Sequence, residues 1–315
     1  MKILVTNIPS HSFERVSSDI ARVLGEVHAV YRWVTNDVMP SGDIHIHVSS
    51  FIWWQQPTTH GLFRRVIWYT ALEYIPFPFP IDDRTEVVTV SRTCARWIKM
   101  GTKMDARVVY HGIDTDPPTN HLLAMHLRRR YGDFVLYVGT NIERKGLVQL
   151  IDAVRILNSD GARVNLVMVL HTPKGSEAEF WKPYSIPEEP YIHVHEVDRL
   201  SDEDIHAFYE ACSVYVQPSL VEGFGLPPLE ASAHRRPVVL GAYDVARELF
   251  RGYRRICPVA RTEFRVFGYG VFVYRYTDPK KMAELIWDAL NNPDDNLHDY
   301  VVRNFSLRNY LSLIE

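Results

Sequence analysis

The sequence contains little that would mark a secreted, disulfide-bonded or membrane-spanning protein. Its three cysteines, Cys94, Cys212 and Cys257, lie far apart and form no C-x-x-C pair. This spacing indicates neither a disulfide framework nor a zinc ribbon, and it favours a reducing compartment. The first ten residues, MKILVTNIPS, lack the apolar core of a signal peptide, and no apolar run reaches transmembrane length. The sequence therefore predicts a cytoplasmic protein.

The sequence also lacks the features of two common classes of ligand-binding protein. It has 35 Lys and Arg residues against 38 Asp and Glu residues, a formal net charge of −3, so nucleic acid is not a predicted partner. The segment NIPSHSF after the first apolar run contains no G-x-G-x-x-G fingerprint, which argues against a nicotinamide cofactor. We therefore predict no cofactor.

What the 315 residues do contain is a long alternation of short apolar runs and amphipathic stretches. KILVTNI and EVVTVS are such runs in the first half, and FVLYVG and SVYVQPS in the second. Strands that alternate with helices predict parallel sheets, and nearly continuous apolar strands are typical of sheets covered on both faces. We predict an α/β protein with two doubly wound, Rossmann-like domains, residues 1–113 and 132–295. A connection, residues 114–131, joins them, and a helical segment, residues 296–315, is expected to pack back on the first domain.

The segment TNIERKG, residues 140–146, follows the apolar run FVLYVG and is predicted to form a loop at the carboxyl end of a strand. Ligands of open α/β sheets bind at such ends. Arg144 and Lys145 precede Gly146 and a predicted helix, whose N-terminus carries unpaired N–H groups and a positive partial charge. Two cations at a helix N-terminus suit a diphosphate. A solvated Arg-Lys pair at a loop tip is the alternative interpretation.

A second unusual loop, EGFGLPPLE at residues 222–230, follows the run SVYVQPS. Its glycines permit close approach of the backbone to a ligand, and its two prolines suit the first positions of a helix. We expect Glu222 and Glu230 to face a ligand rather than the core and to accept hydrogen bonds from vicinal hydroxyls. The alternative is that Glu230 is a first-turn acid that favours the helix dipole, and Glu222 a surface residue.

Together these segments match a known pattern. VYVQPSLVEGFGLPPLEASAHRRPVV, residues 214–239, closely resembles the signature of glycosyltransferase family 4, the retaining nucleotide-sugar enzymes of GT-B fold, with its E-x7-E spacing. YVGTNIERKGLVQLIDAVRIL, residues 137–157, is similar to the diphosphate element of that family. VTVSRTCARWIKMG, followed by VVYHGIDT, resembles the end of its N-terminal domain. The resemblance extends over roughly residues 86 to 290 and agrees in order and context.

The resemblance implies two domains that face each other across a cleft, and it assigns roles to the motif residues. Glu230 would bind the ribose hydroxyls of a nucleotide diphosphate sugar, Glu222 the donor sugar, and Arg144 with Lys145 the diphosphate. The predicted donor-binding residues also include Gly223, Phe224, Gly225, Leu226, Thr140 and Val197. The nucleotide base is expected near Leu170, His171 and Val197.

The sequence departs from the family pattern at three positions. Thr140 stands where many members have a phosphate-binding arginine, so Arg144 is expected to take that role. Arg235 replaces a glycine after the motif helix and makes a left-handed turn there less favourable. His111 replaces an asparagine near the connection between the domains.

The first domain would bind the acceptor, which the sequence does not identify: a glycan, a lipid-linked sugar and a protein all stay open. His47 and Glu73 lie near predicted strand ends and are candidate catalytic residues. His45 with His47, and His193 with His195, alternate on strands, but a third ligand is missing and no metal site is predicted. The stretches HGLFRRVIW and HLLAMHLRRRYG mix basic and apolar residues. They fit either a peripheral membrane contact or a basic helix between domains.

The resemblance therefore predicts a metal-independent, retaining glycosyltransferase that uses a nucleotide diphosphate sugar. One alternative is a metal-dependent transferase in which Asp114 and Asp116 form a D-x-D site. Another alternative is a protein that binds nucleotide sugars without turnover.

Overall fold

The computed structural model describes residues 1–8, 11–32, 41–52, 55–59, 61–175, 182–293 and 296–315. Within these residues the chain divides into two compact units. The first unit contains Met1–Ile113, Phe264–Phe272 and Phe305–Glu315, and the second contains Asp114–Glu263 and Val273–Asn304. In the described part of the chain, none of the helices is both long and apolar enough to cross a bilayer.

A six-stranded parallel sheet forms the centre of the first unit. Its strands are β1 Lys2–Asn7, β2 Ala29–Arg32, β3 Gly42–Ser50, β4 Phe63–Ala71, β6 Thr85–Thr89 and β7 Arg107–Val108. They lie in the order β2-β1-β3-β4-β6-β7, and each pair is parallel. The helices are α1 His11–Gly25 and α2 Arg92–Thr102. Helix α1 lies between β1 and β2 in the chain, and α2 between β6 and β7, and the predicted parallel sheet is confirmed here.

The second unit contains a five-stranded parallel sheet. Its strands are β8 Phe134–Thr140, β9 Asn165–His171, β10 Ile192–Glu196, β11 Val214–Gln217 and β12 Val238–Leu240, in the order β10-β9-β8-β11-β12. The helices are α3 His121–Tyr131, α4 Leu147–Ser159, α5 Asp202–Ala211, α6 Leu226–Ala233, α7 Asp244–Leu249, α8 Pro279–Asn291 and α9 His298–Asn304. The predicted fold class, α/β with two Rossmann-like parallel sheets, is therefore confirmed.

Strand β8 and helix α4 form the middle of the second unit's core. Val135 and Tyr137 of β8 are fully buried, as are Leu150, Ile151 and Val154 of α4. The three aliphatic side chains recur at the spacing that puts them on one face of a helix. Each contributes about 1.5–3 kcal/mol by leaving water. This packing holds the carboxyl end of β8, from which the Arg144 loop extends.

Two arginine side chains bind the backbone carbonyls of the C-terminal segment of the first unit. A 3-10 helix spans Leu307–Leu313. Arg107 donates to the carbonyls of Ser312 and Leu313 at 2.5 and 3.0 Å, and Arg65 donates to that of Ile314 at 3.1 Å. Glu86 contacts both arginines, which fixes the two guanidinium groups beside the carbonyls that end the helix.

A small antiparallel sheet was not predicted from the sequence. Strand β13, Arg261–Phe267, is followed by β14, Gly270–Tyr276, and β14 pairs with the short strand β5, Ile75–Pro76. The strand order is β13-β14-β5. Phe267 packs edge to face on Phe272, with the ring centroids 5.0 Å apart, so one face of the hairpin is covered by aromatic side chains.

Candidate active site

Two loops at the carboxyl edge of the second sheet are joined by backbone contacts. Strands β8 and β11 are neighbours, and the loops that follow them meet where the Leu220 amide donates to the Arg144 carbonyl at 2.8 Å. Gly146 lies in the left-handed region, with φ 70°, and a Cβ there would come within 2.1 Å of the Pro218 carbonyl oxygen. Only glycine permits this approach. The two motifs are therefore parts of one site.

The result of this contact is a buried ion pair between the motifs. Lys145 Nζ lies 2.6 Å from Glu222 Oε1, and Arg144 Nη1 lies 3.8 Å from Glu222 Oε2. Glu222 is only 5% exposed. The structure thus brings together three residues to which the resemblance assigned different parts of the donor. The alternative interpretations, a solvated Arg-Lys pair and a surface glutamate, do not fit this burial.

Two neutral side chains also hold the Glu222 carboxylate. Ser219 Oγ donates to Oε1 at 2.7 Å, and Gln217 Nε2 donates to the same oxygen at 3.0 Å. The Tyr215 hydroxyl in turn donates to Gln217 Oε1. These residues were missed in the sequence analysis, although VYVQPS offered a signal: polar Gln217 and Ser219 directly follow a buried strand. They fix the orientation of Glu222 before any ligand binds.

The electrostatics of the cluster favour an ionised Glu222. Burial alone would raise the pKa of Glu222, but the charges of Lys145 and Arg144 and the hydrogen bonds from Lys145 and Ser219 outweigh it, so the pKa is lowered. The carboxylate is therefore charged near neutral pH. Two cations beside one anion leave the cluster with one net positive charge, which suits an anionic ligand.

Glu230 lies deeper in helix α6 than the sequence suggested. It is the fifth residue of Leu226–Ala233, one turn beyond the N-terminus, and it is 3% exposed. The Tyr209 hydroxyl of α5 donates to Glu230 Oε2 at 2.9 Å. A first-turn acid that merely favours the helix dipole does not explain a carboxylate buried one turn further along. Tyr209 is a second residue that sequence reasoning missed.

The entry to α6 has an unusual backbone and a buried hydroxyl beside it. Gly225, directly before the helix, has φ 97°, and a Cβ there would lie 3.6 Å from the Tyr243 hydroxyl oxygen. That hydroxyl is buried and has no hydrogen-bond partner among the described residues. Burial, with the nearby Glu222 charge, raises the pKa of Tyr243 well above its usual value, so the group is a neutral donor. Gly223, Phe224 and Leu226 lie in or beside the same loop.

The other predicted donor-binding residues lie along the same edge of the sheet. Thr140 is the last residue of β8 and is half-buried. Val197 begins a 3-10 helix, Val197–Arg199, directly after β10. His171 Nδ1 lies 3.3 Å from Asp198 Oδ1, at the ends of neighbouring strands. Leu170 is fully buried in the hydrophobic core, and the place of the nucleotide base near it stays a prediction.

The predicted acceptor-side residues lie in the first unit. His47 of β3 has partners at both ring nitrogens: Nδ1 lies 2.8 Å from Thr6 Oγ1 and Nε2 lies 3.0 Å from the Gln55 carbonyl. Burial lowers the pKa of His47 to about 4, although the Gln55 hydrogen bond opposes this. Glu73 follows β4 and is half-buried beside Tyr74. The roles of His47 and Glu73 stay predictions.

The candidate metal site is a turn in the structure. The Asp116 amide donates to Asp114 Oδ1 at 3.2 Å, which is a local turn of the kind that aspartate favours. Across the described residues, no three His, Cys, Asp or Glu side chains are grouped so that they could hold a metal ion. Of the histidine pairs, His45 and His47 both contact Thr6 Oγ1.

Two departures from the family pattern have structural consequences. Arg235 follows α6 with φ 58°, so the left-handed turn forms without the glycine that would favour it. His111 is buried, with Nδ1 3.0 Å from the Tyr69 hydroxyl and 3.2 Å from the Tyr310 hydroxyl. Burial lowers the pKa of His111 to about 3. The substituted residues serve the local fold.

Known proteins share both the sequence pattern and the fold. Residues 126–304 match the family described as glycosyl transferases group 1. An uncharacterized glycosyltransferase from Methanocaldococcus jannaschii is 22% identical over 222 residues, which are 69% of this chain and 53% of that protein. This chain thus spans about half the length of that curated relative. The O-antigen chain mannosyltransferase B of Escherichia coli is 33% identical over 108 residues, 34% of this chain and 28% of that protein.

A solved structure confirms the fold over the whole chain. HepE from Anabaena, crystallised with UDP and glucose, superposes with a TM-score of 0.65 at 17% identity, covering 100% of this chain and 98% of that one. At this identity the likeness concerns the fold. Because the family match covers more than half of the 315 residues, the chain belongs to the glycosyl transferases group 1 family, and the resemblance drawn from the motifs is confirmed.

Proposed function

We propose that this member of the glycosyl transferases group 1 family transfers a sugar, with retention of configuration, from a nucleotide diphosphate sugar to an acceptor. The observation that supports this most is the buried cluster of Lys145, Arg144 and Glu222 at the carboxyl edge of the second sheet. An excess of one positive charge, next to the N-terminus of α4, has the sign that attracts a diphosphate.

The reaction needs stabilisation of the departing diphosphate more than covalent help. When the bond between the sugar and the diphosphate breaks, negative charge grows on the phosphate oxygens, and Lys145 and Arg144 would stabilise it. Glu222 and the backbone amides of Phe224 and Leu226 would hold the sugar. The leaving phosphate oxygen would take the proton of the acceptor hydroxyl on the same face of the sugar.

Helix α6 and its surroundings would bind the nucleoside. Glu230 would accept hydrogen bonds from the ribose hydroxyls, with Tyr209 fixing one of its oxygens at 2.9 Å. The Tyr243 hydroxyl, buried beside Gly225 and without a partner among the described residues, is placed to donate to the donor substrate. A buried donor without a partner costs about 1–3 kcal/mol, so a ligand acceptor would recover that loss.

The similar proteins bear on the class of donor. The Escherichia coli relative is a mannosyltransferase, and HepE was crystallised with UDP and glucose. A hexose linked to a nucleoside diphosphate is therefore the donor that we propose. The acceptor stays open among glycans, lipid-linked sugars and proteins.

Calorimetry on the double variant Arg144→Ala/Lys145→Ala tests the proposal. Binding of nucleoside diphosphates should weaken by about a hundredfold or more, because each of the two lost charged contacts is worth about 1.5–3 kcal/mol, whereas binding of the free nucleoside should change little. Equal losses for both ligands would contradict the placement of the diphosphate.

Release of nucleoside diphosphate from a panel of nucleotide sugars, in the presence of candidate acceptors, separates transfer from mere binding. A protein that binds donors but never releases diphosphate would favour the alternative of a nucleotide-sugar binding protein.

The Glu230→Gln variant should lower affinity for nucleoside and nucleoside diphosphate alike, by about 1–3 kcal/mol.

A further inference from the structure

Strand β13 presents an unusual combination of edge position and apolar exposure. Phe264 and Val266 are 67% and 71% exposed, respectively. They are two residues apart on a strand, so both point to the same face. β13 ends the order β13-β14-β5, so one of its edges has no strand neighbour among the described residues. An edge strand of this kind presents backbone donors and acceptors to a further strand.

The strand lacks two of the features that protect sheet edges, although three of its seven residues are charged. Its sequence, RTEFRVF, contains neither proline nor lysine, which commonly block an added strand. Arg261 contacts Glu263 at 2.9 Å, and its guanidinium lies 4.0 Å from the centroid of the Tyr276 ring. This charge is therefore engaged within the hairpin and does not cover Phe264 or Val266.

The sequence of β13 is complementary to itself in the antiparallel direction. Phe264 is the central residue of the seven, Arg261–Phe267. When two copies are paired about this residue, Phe264 faces Phe264, and Thr262 faces Val266. On the other face of the strand, Glu263 of each copy lies opposite Arg265 of the other. Aromatic pairs and opposite charges directly across an antiparallel ladder stabilise it.

We propose that β13 is the interface of a two-fold symmetric homodimer. Two copies of β13 pair antiparallel about Phe264, and two three-stranded sheets become one six-stranded antiparallel sheet. The same surface serves both copies, as a two-fold interface requires. The pairing brings the two Phe264 side chains into contact with each other and satisfies the backbone groups along the open edge. The proposal is independent of the reaction that the second unit performs.

The mass of the protein in solution gives the first test. Light scattering coupled to gel filtration should show, with rising concentration, a species of twice the 36.5 kDa of one chain. Val266→Lys should raise the dissociation constant of the dimer by about tenfold or more. Leu122→Lys is the matched control, because Leu122 is 70% exposed on a different element, α3, and should leave the dimer unchanged.

Charge reversal gives the sharper test. E263R alone places like charges opposite each other in both pairs of the dimer, and R265E alone does the same with the other sign. Each variant should be monomeric where the wild type is dimeric. An equimolar mixture should form a heterodimer, because one chain then carries two arginines opposite the two glutamates of its partner.

The outcomes separate the proposal from its rivals. Single variants that fail to dimerise but recover on mixing support the antiparallel pairing about Phe264. A wild-type chain that stays monomeric at every concentration overturns the proposal, as does a dimer that survives both charge reversals. Unchanged thermal unfolding of the reversed variants at low concentration shows that they fold. Dimerisation lost in both Val266→Lys and Leu122→Lys would indicate a different surface.

Discussion

A network of polar side chains in each of the two units is satisfied in a different way. In the first unit, Thr6, His45, His47 and Thr59 form one chain of neutral hydrogen bonds that ends at the Gln55 carbonyl. In the second unit, Lys145, Arg144 and Glu222 form a charged cluster.

The direction of the hydrogen bonds in this neutral chain follows from the Gln55 carbonyl at which it ends. A carbonyl only accepts, so His47 donates from Nε2 to Gln55 and accepts from Thr6 at Nδ1. Thr6 then accepts from His45 Nε2, and His45 Nδ1 accepts from Thr59. The ring nitrogens in this chain are thus engaged within the protein. A network that satisfies itself maintains the fold, whereas a cluster with a net charge is suited to a ligand.

We expect the largest difference between the charged cluster and the neutral chain in the rate of sugar transfer. Glu222→Gln should lower the rate of sugar transfer by roughly 10²–10³-fold, because it removes a charged contact in a desolvated site. The buried position of Glu222 also means that this variant should melt at a lower temperature, since the charges of Lys145 and Arg144 lose their partner. In the neutral chain, Thr59→Val should lower stability and leave the transfer rate of the folded protein nearly unchanged. Equal losses of rate in the two variants would remove the distinction between the regions.

We expect the next largest effect in the way the free energy of unfolding depends on pH. The pKa of folded His47 is lowered to about 4, so between pH 6.5 and 4 the unfolded chain takes up a proton that the folded chain does not. The difference in free energy of unfolding between wild type and His47→Gln should therefore shrink by up to ~3 kcal/mol as the pH falls through that window.

Glu222 should lose its contribution in the same direction as His47, on acidification, but in a lower pH window. Its pKa is lowered from an ordinary value of 4.5, so its contribution is complete above that pH and is lost only below it. Urea titrations of Glu222→Gln and wild type at a series of pH values measure this. A difference between them that already changes at pH 6 would contradict the assignment of charge.

A smaller effect separates two buried tyrosines of the second unit. Tyr243→Phe should keep or slightly raise the melting temperature, because it removes a buried hydroxyl without a partner among the described residues. It should also weaken donor binding by about 1 kcal/mol. Tyr215→Phe is the matched control, because the Tyr215 hydroxyl donates to Gln217 and its loss should lower stability. Donor affinity that is unchanged in Tyr243→Phe would place that hydroxyl outside the binding site.

The smallest effect on turnover is expected from the turn that contains Asp114 and Asp116. Replacing Asp114 and Asp116 together by alanine should change turnover much less than Glu222→Gln does, and activity should survive EDTA. The physical reason is that Lys145 and Arg144 already supply the positive charge that a metal would supply. Activity that is lost on chelation and restored by manganese would favour the metal-dependent alternative.

The sequence alone predicted both parallel sheets, because buried strands need continuous apolar runs and helices need amphipathic ones, and both patterns are local. It also located the Arg144 and Glu222 loops, since glycines, prolines and charges directly after a strand are uncommon without a ligand. The hairpin β13–β14 escaped prediction, because its exposed Phe264 and Val266 and its aromatic underside do not follow the simple alternation of a half-buried strand.

Tertiary structure decided how the motif residues combine. The spacing of Arg144 and Glu222 along the chain says nothing of the contact between Gly146 and Pro218 that places Lys145 2.6 Å from Glu222. Nor does it assign Ser219, Gln217, Tyr209 and Tyr243 to the same site. Local patterns determine which elements form, because hydrophobic periodicity acts within each element. Which side chains meet depends on how neighbouring strands align and how closely their loops pack, and only the folded chain settles both.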